Sequence, residues 1–259
     1  MIKNIIVVGS GKGGVGKSTV SINLSVAISK LKKCSVGLLD ADIYGPSIPK
    51  MLGIKDKPVM SSNKKIIPYE KFGIKSMSIG NMIPEDNAVI WRGVMASNAI
   101  KQFLRDVDWG NLDYLIIDLP PGTGDIHLSL CQSLSIRGAV VVSSPQEISL
   151  IDVRKAIGMF EKVNVPVLGL IQNFSYLKIK NEQKNYIFGK DGVIKEAKRK
   201  NIKFLGEIPI IPEISSLSDQ GIPASYDEKN NVFIFFKEIS KRLFDSLGSI
   251  KQQDVKIES

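Results

Sequence analysis

The residues best suited to chemistry form a glycine-rich run directly behind the apolar residues 5–8. The run fits the phosphate-loop pattern G-x-x-x-x-G-K-[ST], with these residues at its fixed positions: Gly11, Gly16, Lys17 and Ser18. Glycines let successive backbone amides turn inward around phosphate oxygens, and the helix that follows favours an anion at its first turn. Lys17 supplies charge for terminal phosphates, and the hydroxyl of Ser18 suits Mg²⁺. We therefore predict a site for a nucleoside triphosphate, formed by Gly11, Lys12, Gly13, Gly14, Val15, Gly16, Lys17, Ser18 and Thr19.

A dinucleotide-binding fingerprint, G-x-G-x-x-G, overlaps the same loop at Gly9, Gly11 and Gly14. Asp40, at the end of the second apolar run, would be its acidic partner. That interpretation leaves Lys17, Ser18 and Thr19 without a task, whereas a phosphate loop uses all three and also requires a later strand that ends in aspartate. We therefore keep the dinucleotide site as the weaker alternative.

Carboxylates end two of the predicted buried strands. Asp118 follows the apolar run 114–117, which is the position that holds Mg²⁺ in phosphate-loop enzymes. Asp40 and Asp42 follow the run 35–39, and either carboxylate could orient a metal or an attacking water. Because Asp42 lies further out on the loop, we expect it to be the one that meets the terminal phosphate.

A candidate switch segment lies directly behind Asp118. Residues 122–125 are rich in glycine, so their backbone can respond to a terminal phosphate. His127 is the only histidine of the chain. We expect it on a helix surface or next to the switch rather than in catalysis.

Apolar runs alternate with amphipathic stretches, which is typical of a parallel sheet flanked by helices. Predicted strands cover residues 3–8, 35–39, 74–79, 114–117, 139–142, 167–171 and 204–208. Predicted helices cover residues 17–31, 94–104, 148–163, 192–200 and 230–247. We predict one doubly wound α/β domain over residues 1–247, with helices on both faces of a mostly parallel sheet and a polar tail over 248–259.

Composition excludes several classes of protein. The 259 residues are 43% hydrophobic and 24% charged, as in ordinary folded proteins. The net charge of +9 comes from lysines scattered along the chain, so we do not expect a nucleic-acid or membrane partner. Cys34 and Cys131 are the only cysteines and lie far apart in the sequence, which indicates neither a disulfide framework nor a zinc site. Since no run approaches ~18 apolar residues, we predict neither a membrane span nor a signal peptide, and a cytoplasmic location.

Lys12 adds a second lysine to the loop, which resembles the deviant phosphate loop of the MinD, ParA and nitrogenase-iron-protein group. Four further segments are very similar to the Mrp/ApbC family within that group: DADIYGPSIP (40–49), RGVM (92–95), WGNLDYLIIDLPPGTGD (109–125) and SPQE (144–147). The resemblance implies the phosphate-loop NTPase fold of that group. It also implies an ATPase that works as a homodimer and carries iron–sulfur clusters to apoprotein clients.

The same resemblance implies site residues. Lys12 would reach the phosphates of the partner subunit, and Lys17 would bind phosphates within its own subunit. Ser18 and Asp118 would serve Mg²⁺, while Asp42 would position the attacking water. We add Asp40 to the metal residues because of its place at the strand end, not because of the resemblance. Two more residues would contact the adenine of ATP: Asn173 and Pro209, the latter with residues up to 213.

One segment departs from the family. Many members carry a C-x-x-C pair after an Asn-x-Ser-Tyr segment, and that pair bridges a four-iron cluster across the dimer. Here residues 173–182 contain no cysteine, and Ile179 and Glu182 stand about where the thiolates would be. Because clusters require soft thiolate ligands, we do not expect the family's usual cluster site.

A positioning ATPase of the MinD or ParA type, which acts on membrane or DNA, is the other open function. Its support is the shared loop, the net charge, and an apolar stripe on the last helix: Val232, Phe236, Ile239, Leu243, Leu247 and Ile250. Such a stripe is more typical of a core face than of a membrane anchor. We therefore favour the cluster-carrier interpretation.

Overall fold

The computed structural model describes residues 1–81, 93–179 and 183–250. Positions discussed above that lie outside this part of the chain are Arg92, Glu182 and the tail residues 251–259. Within the described part, eight strands form one sheet in the order β10-β7-β6-β1-β5-β2-β4-β3. Their bounds are β1 (Ile5–Gly9), β2 (Val36–Asp40), β3 (Tyr69–Lys71), β4 (Ile74–Ser78), β5 (Tyr114–Asp118), β6 (Gly138–Ser143), β7 (Val167–Gln172) and β10 (Phe204–Glu207). A separate hairpin pairs β8 (Leu177–Lys178) with β9 (Lys184–Asn185).

The sheet is parallel except at one edge, where β3 pairs antiparallel with β4. The helices are α1 (Lys17–Lys32), α2 (Ile48–Met51), α3 (Gly93–Asp106), α4 (Asp125–Ser133), α5 (Glu147–Lys162), α6 (Gly192–Arg199), α7 (Pro212–Asp219) and α8 (Asn231–Gly248). None of the helices in the described ranges is long and apolar enough to cross a bilayer.

Two apolar cores lie on opposite faces of the sheet. In β1, Ile5 and Val7 belong to one core, whereas Ile6 and Val8 belong to the other, as alternation along a strand requires. The first core contains residues of α3, α4, α5 and α6, and the second contains residues of α1 and α8. Helices therefore cover both faces, and the predicted doubly wound fold is confirmed.

The apolar stripe of α8 is a core face. Val232, Phe236, Ile239, Leu243 and Leu247 are buried in the second core. The helix packs against α1, β7 and β10. This stripe is therefore used within the fold, and it offers no support for a membrane anchor.

Every strand and helix predicted from the sequence is present, with ends that agree within two residues. The predictions missed α2, α4, α7, β3 and the β8–β9 hairpin. These elements have two to nine residues, which is too short for a clear hydrophobic period. The parallel arrangement brings the carboxyl ends of β1, β2 and β5 side by side, where a ligand site is expected.

Candidate nucleotide-binding site

The loop between β1 and α1 has the backbone shape that its glycines predict. Gly14 and Gly16 have φ angles of 80° and 78°, in the left-handed region that favours glycine. A Cβ at position 16 would also lie 2.3 Å from Nδ2 of Asn173. Gly16 is therefore required both for its dihedral angle and for space.

Gly11 lets the loop approach a neighbouring helix. A Cβ on Gly11 would lie 2.3 Å from the backbone carbonyl of Asp152 in α5. Gly13 and Gly14 are exposed, so the other side of the loop is open to solvent. The first turn of α1 carries no acidic side chain, which leaves the positive end of its dipole available for an anion.

A cavity of about 220 Å³ opens in front of this loop, lined by Ser10, Lys12, Gly13, Gly14, Gly16, Lys17, Ser18, Thr19, Asp42, Ser47, Met51 and Pro121. It joins the predicted phosphate-loop residues to Asp42 at the carboxyl edge of the sheet. A larger cavity of about 440 Å³, lined in part by Arg137, Glu161 and Ile250, includes no predicted site residue among its described lining. That cavity lies at the start of β6 and β7, which is the opposite edge of the sheet.

Lys17 and Ser18, which line the smaller cavity, both contact Asp118. Nζ of Lys17 lies 2.8 Å from Oδ2 of Asp118, and the hydroxyl of Ser18 donates to the same oxygen at 2.6 Å. Lys17 is 6% exposed and Asp118 is fully buried. Water therefore screens this charge pair little. The hydroxyl and the carboxylate are both hard oxygen ligands, a donor set that fits Mg²⁺.

Asp42 lines the same cavity as Lys17. Its Oδ2 lies 4.0 Å from Nζ of Lys17, and its Oδ1 accepts a hydrogen bond from the amide of Gly45 at 3.2 Å. Burial raises the pKa of Asp42, and the charge of Lys17 opposes that rise. Asp42 therefore lines the cavity, and its contact with a terminal phosphate stays a prediction.

Asp40 has different surroundings from Asp42. It is fully buried beside Asp118, its register partner in β5. Its oxygens accept hydrogen bonds from the amides of Asp42 and Ile48 and from the hydroxyl of Ser78, at 3.1, 3.2 and 3.0 Å. Burial, followed by the charge of Asp118, raises the pKa of Asp40 to about 7. Asp40 thus organises the turn after β2, and its contact with a metal stays a prediction.

Asn173 follows β7 and is turned toward the phosphate loop. It is buried, and its Nδ2 donates to the carbonyl of Val15 at 2.9 Å. The chain near Pro209 lies alongside, because the amide of Ser175 donates to the carbonyl of Ile208 at 3.0 Å. The structure therefore brings Asn173 near Pro209 but gives Asn173 a loop-supporting bond that the sequence did not indicate. Adenine contact by either residue stays a prediction.

Lys12 lies at the outer part of the loop. Its carbonyl accepts a hydrogen bond from the hydroxyl of Ser10 at 2.9 Å, which fixes the backbone there. Among the described residues, no carboxylate lies within 4.0 Å of its ammonium group. The side chain lines the cavity rather than entering the Lys17 cluster.

His127 connects the candidate switch to α4. It is 3% exposed, so a place on a helix surface is wrong, while the expectation that it lies next to the switch is correct. Its Nε2 lies 2.8 Å from the carbonyl of Pro120, which accepts a hydrogen bond from the imidazole. Burial lowers the pKa of His127. The amide of Gly122 donates to the carbonyl of Ser10 at 3.0 Å, so the switch also touches the phosphate loop.

Ser21 is a site residue that the sequence predictions missed. Its hydroxyl lies 2.6 Å from Oδ1 of Asp118, and the residue is fully buried. The available signal was its position four residues after Lys17, on the same face of α1. A small polar residue one helical turn after Lys17 does not by itself identify a partner 97 residues away.

The two cysteines do not form a cluster site within one chain. Cys131 belongs to the first core, whereas Cys34 packs against the second, on the other face of the sheet. Burial raises the pKa of the Cys131 thiol to about 12, so it stays protonated at neutral pH. Across the described ranges, no three His, Cys, Asp or Glu side chains are grouped as a metal site.

The family model for NUBPL iron-transfer P-loop NTPases of the ParA type matches residues 1–244. An iron–sulfur cluster carrier protein from Aquifex aeolicus is 53% identical over 225 residues, which cover 86% of this chain and 62% of that protein. The chain thus spans less than two thirds of the length of that relative. A relative of this name favours the cluster-carrier interpretation over both a positioning ATPase and a dinucleotide enzyme.

Solved structures agree with this placement. A nucleotide-binding protein from Archaeoglobus fulgidus in complex with ADP is 40% identical, with a TM-score of 0.77 over 91% of this chain and 92% of that one. The cell division ATPase MinD from Pyrococcus furiosus is 22% identical, with a TM-score of 0.70 over 94% and 99% of the two chains, and shows the shared fold alone. On its matched sequence, its fold and its phosphate loop, this chain belongs to the family of NUBPL iron-transfer P-loop NTPases.

Proposed function

We propose that this chain binds and hydrolyses ATP with Mg²⁺ as a homodimer in the cytoplasm, and that it serves the delivery of iron–sulfur clusters to apoproteins. The observation that carries the proposal is the meeting of Lys17, Ser18 and Asp118 at the end of a glycine loop. This arrangement offers a cation for phosphate and two hard oxygens for a divalent metal. The names of the relatives supply the link to iron–sulfur clusters.

The loop amides and Lys17 would bind the phosphates. Ser18 and Asp118 would hold Mg²⁺, with Asp40 buried behind them. When bound, the metal would neutralise charge that develops on the phosphates during transfer. The open side of the loop at Gly13 and Gly14 admits the nucleotide.

Asp42 would orient the attacking water. Its place at the cavity wall, 4.0 Å from Nζ of Lys17, puts an acceptor opposite the phosphate-binding cation. Phosphoryl transfer depends mostly on such positioning and on charge stabilisation. Asp42 would supply the positioning by accepting a hydrogen bond from the water, while Lys17 and the metal would supply the charge stabilisation.

Lys12 would act across the dimer. Its ammonium group has no carboxylate partner among the described residues and lines the open cavity. A second subunit that closes over the cavity would bring the Lys12 of each copy toward the phosphates of the other. ATP would thereby tighten the dimer, because its phosphates attract a charge from both subunits.

Cluster delivery by this chain would proceed without the family's usual thiolate pair. The hairpin at that position is stabilised by its own side chains, including Lys184, whose Nζ lies 4.0 Å from the ring centroid of Tyr176. We therefore propose that the nucleotide cycle controls a client or donor that supplies the cluster ligands.

Calorimetry with Mg²⁺ tests the nucleotide part of the proposal. We expect saturable heat on titration with ATP or ADP, and phosphate release from ATP. No heat with either nucleotide would overturn the proposal. For the cluster part, we expect MgATP to speed transfer from a reconstituted donor to an apoprotein that needs a four-iron cluster; equal rates without ATP would remove that part alone.

A further inference from the structure

Asp118 has a hydrogen-bond donor on each of its two oxygens. Lys17 and Ser18 contact Oδ2, at 2.8 and 2.6 Å. Among the residues that the structure describes, Ser21 alone contacts Oδ1, at 2.6 Å, and its hydroxyl also lies 3.0 Å from the carbonyl of Lys17. A hydroxyl has one proton, and the shorter, charge-assisted bond to the carboxylate is the stronger of the two.

The partners of Oδ2 have other tasks in the proposed ATPase. Lys17 would turn toward phosphate, and Ser18 would share its oxygen with Mg²⁺. The bond from Ser21 competes with neither task, because Ser21 is fully buried on the far side of the carboxylate. Its bond to Oδ1 can therefore persist while the surroundings of Oδ2 change.

We propose that Ser21 is a positioning residue that fixes the carboxylate plane of Asp118 and so presents Oδ2 to Mg²⁺; this inference rests on the proposed function. The terminal torsion of aspartate is broad, so a carboxylate held at one oxygen can rotate. Without Ser21, Oδ1 would also be buried without a donor, which is costly for a charged group. Both effects weaken the metal site rather than the phosphate loop.

The same helix offers a matched control. Ser25 is fully buried, and its hydroxyl donates to the carbonyl of Ser21 at 2.7 Å. Ser25→Ala therefore removes a buried hydroxyl one helical turn away from Ser21. We would compare Ser21→Ala with Ser25→Ala by calorimetric titration with ADP, first without and then with Mg²⁺.

In Ser21→Ala, we expect the factor by which Mg²⁺ raises the ADP affinity to be about ten times smaller than in the natural protein. Loss of one hydrogen bond to a charged group implies a change of this size. Its affinity for ADP without Mg²⁺ should match that of the natural protein and of Ser25→Ala. Ser21→Thr, which keeps the hydroxyl, should restore the gain. Equal gains in Ser21→Ala and Ser25→Ala would overturn the proposal.

Two further outcomes are distinguishable. If Ser21→Ala does not fold, Ser21→Cys serves in its place, since a thiol has similar volume but donates weakly; a full Mg²⁺-dependent gain in that variant would contradict the proposal. If the natural protein shows no heat with ADP or with ATP in the presence of Mg²⁺, the proposed function fails, and the inference about Ser21 fails with it.

Discussion

The phosphate loop, which Asn173 contacts at Val15, and the β8–β9 hairpin, which begins four residues after Asn173, present different kinds of side chain. The loop gathers backbone amides, lysines and hard oxygen ligands at the edge of a buried parallel sheet. The hairpin, at the place where many family members carry two cysteines, presents Ile179 at 45% exposure and the Lys184–Tyr176 contact. The first set suits a magnesium nucleotide, and the second offers no soft ligand.

The family name joins nucleotide chemistry with iron transfer, and in this chain the residues suited to these two properties differ. In the phosphate-loop region, three of the predicted residues, Lys17, Ser18 and Asp118, lie within hydrogen-bonding distance of each other. The cluster half lacks thiolates at the expected positions, and Cys34 and Cys131 lie on opposite faces of the sheet. Nucleotide chemistry and cluster binding can therefore be tested one at a time.

Loss of the loop lysine should have the largest effect. Lys17→Ala removes the charge that faces phosphate and leaves Asp118 buried without its cation, so we expect ATP hydrolysis to fall at least about a hundredfold. Phosphate release at saturating ATP is the measurement. Lys32 is an exposed lysine at the end of the same helix, and Lys32→Ala should leave the rate unchanged. Normal turnover in Lys17→Ala would contradict the role of the phosphate loop in ATP hydrolysis, and with it the difference between the loop and the hairpin.

Introducing two cysteines at the hairpin should test the cluster-binding part of the comparison. The double variant Ile179→Cys with Glu182→Cys recreates a C-x-x-C pair, so anaerobic reconstitution with iron and sulfide should load on the order of four irons per dimer. The natural protein and the control variant Ile179→Ser with Glu182→Ser should bind no stoichiometric iron. Visible absorption and iron content are the measurements. A stoichiometric cluster in the natural protein would mean that Cys34 or Cys131 is a ligand.

Sequence patterns predicted the sheet because its strands are buried on both faces. Runs such as 114–117 are uniformly apolar, a pattern that few other structures explain. The phosphate loop was equally predictable, since its glycines, Lys17 and Ser18 occupy fixed spacings. The helix α8 followed from a stripe with a clear helical period.

Other features depend on contacts between segments distant in sequence. The bond from Ser21 to Asp118 joins α1 to β5 across 97 positions, and the bond from Asn173 to Val15 spans 158. The helix α4 has nine residues and follows a glycine-rich turn, so its period was too brief to recognise. The different surroundings of Asp40 and Asp42 also arise from tertiary burial, which residue type alone does not reveal.

A smaller effect should follow from loss of the second lysine. Lys12→Ala should lower ATP hydrolysis by about tenfold at low protein concentration, and by less as concentration rises, because a weaker dimer is recovered by mass action. Turnover measured across protein concentrations, with sedimentation in the presence of ATP, is the check. A loss that does not depend on concentration would place Lys12 at the phosphates of its own subunit.

The smallest predicted effect concerns the switch. Burial lowers the pKa of His127, so the unfolded chain binds a proton more readily than the folded one. The free energy of unfolding should therefore fall as pH drops below the ordinary histidine pKa of about 6.5, by about 1.4 kcal/mol for each unit of difference between the two pKa values. His127→Gln keeps an amide donor for the carbonyl of Pro120 but does not titrate.

Urea unfolding at pH 5, 6 and 7 measures this contribution as the difference between the natural protein and His127→Gln. Other groups, including Asp40 with its raised pKa, contribute to both proteins and largely cancel in the difference. The difference should change in favour of the variant as pH falls, whereas His127→Leu, which loses the donor, should be less stable than His127→Gln throughout. A difference independent of pH would show that the imidazole has the same pKa in the folded and the unfolded state, and that its contact with Pro120 does not depend on its titration.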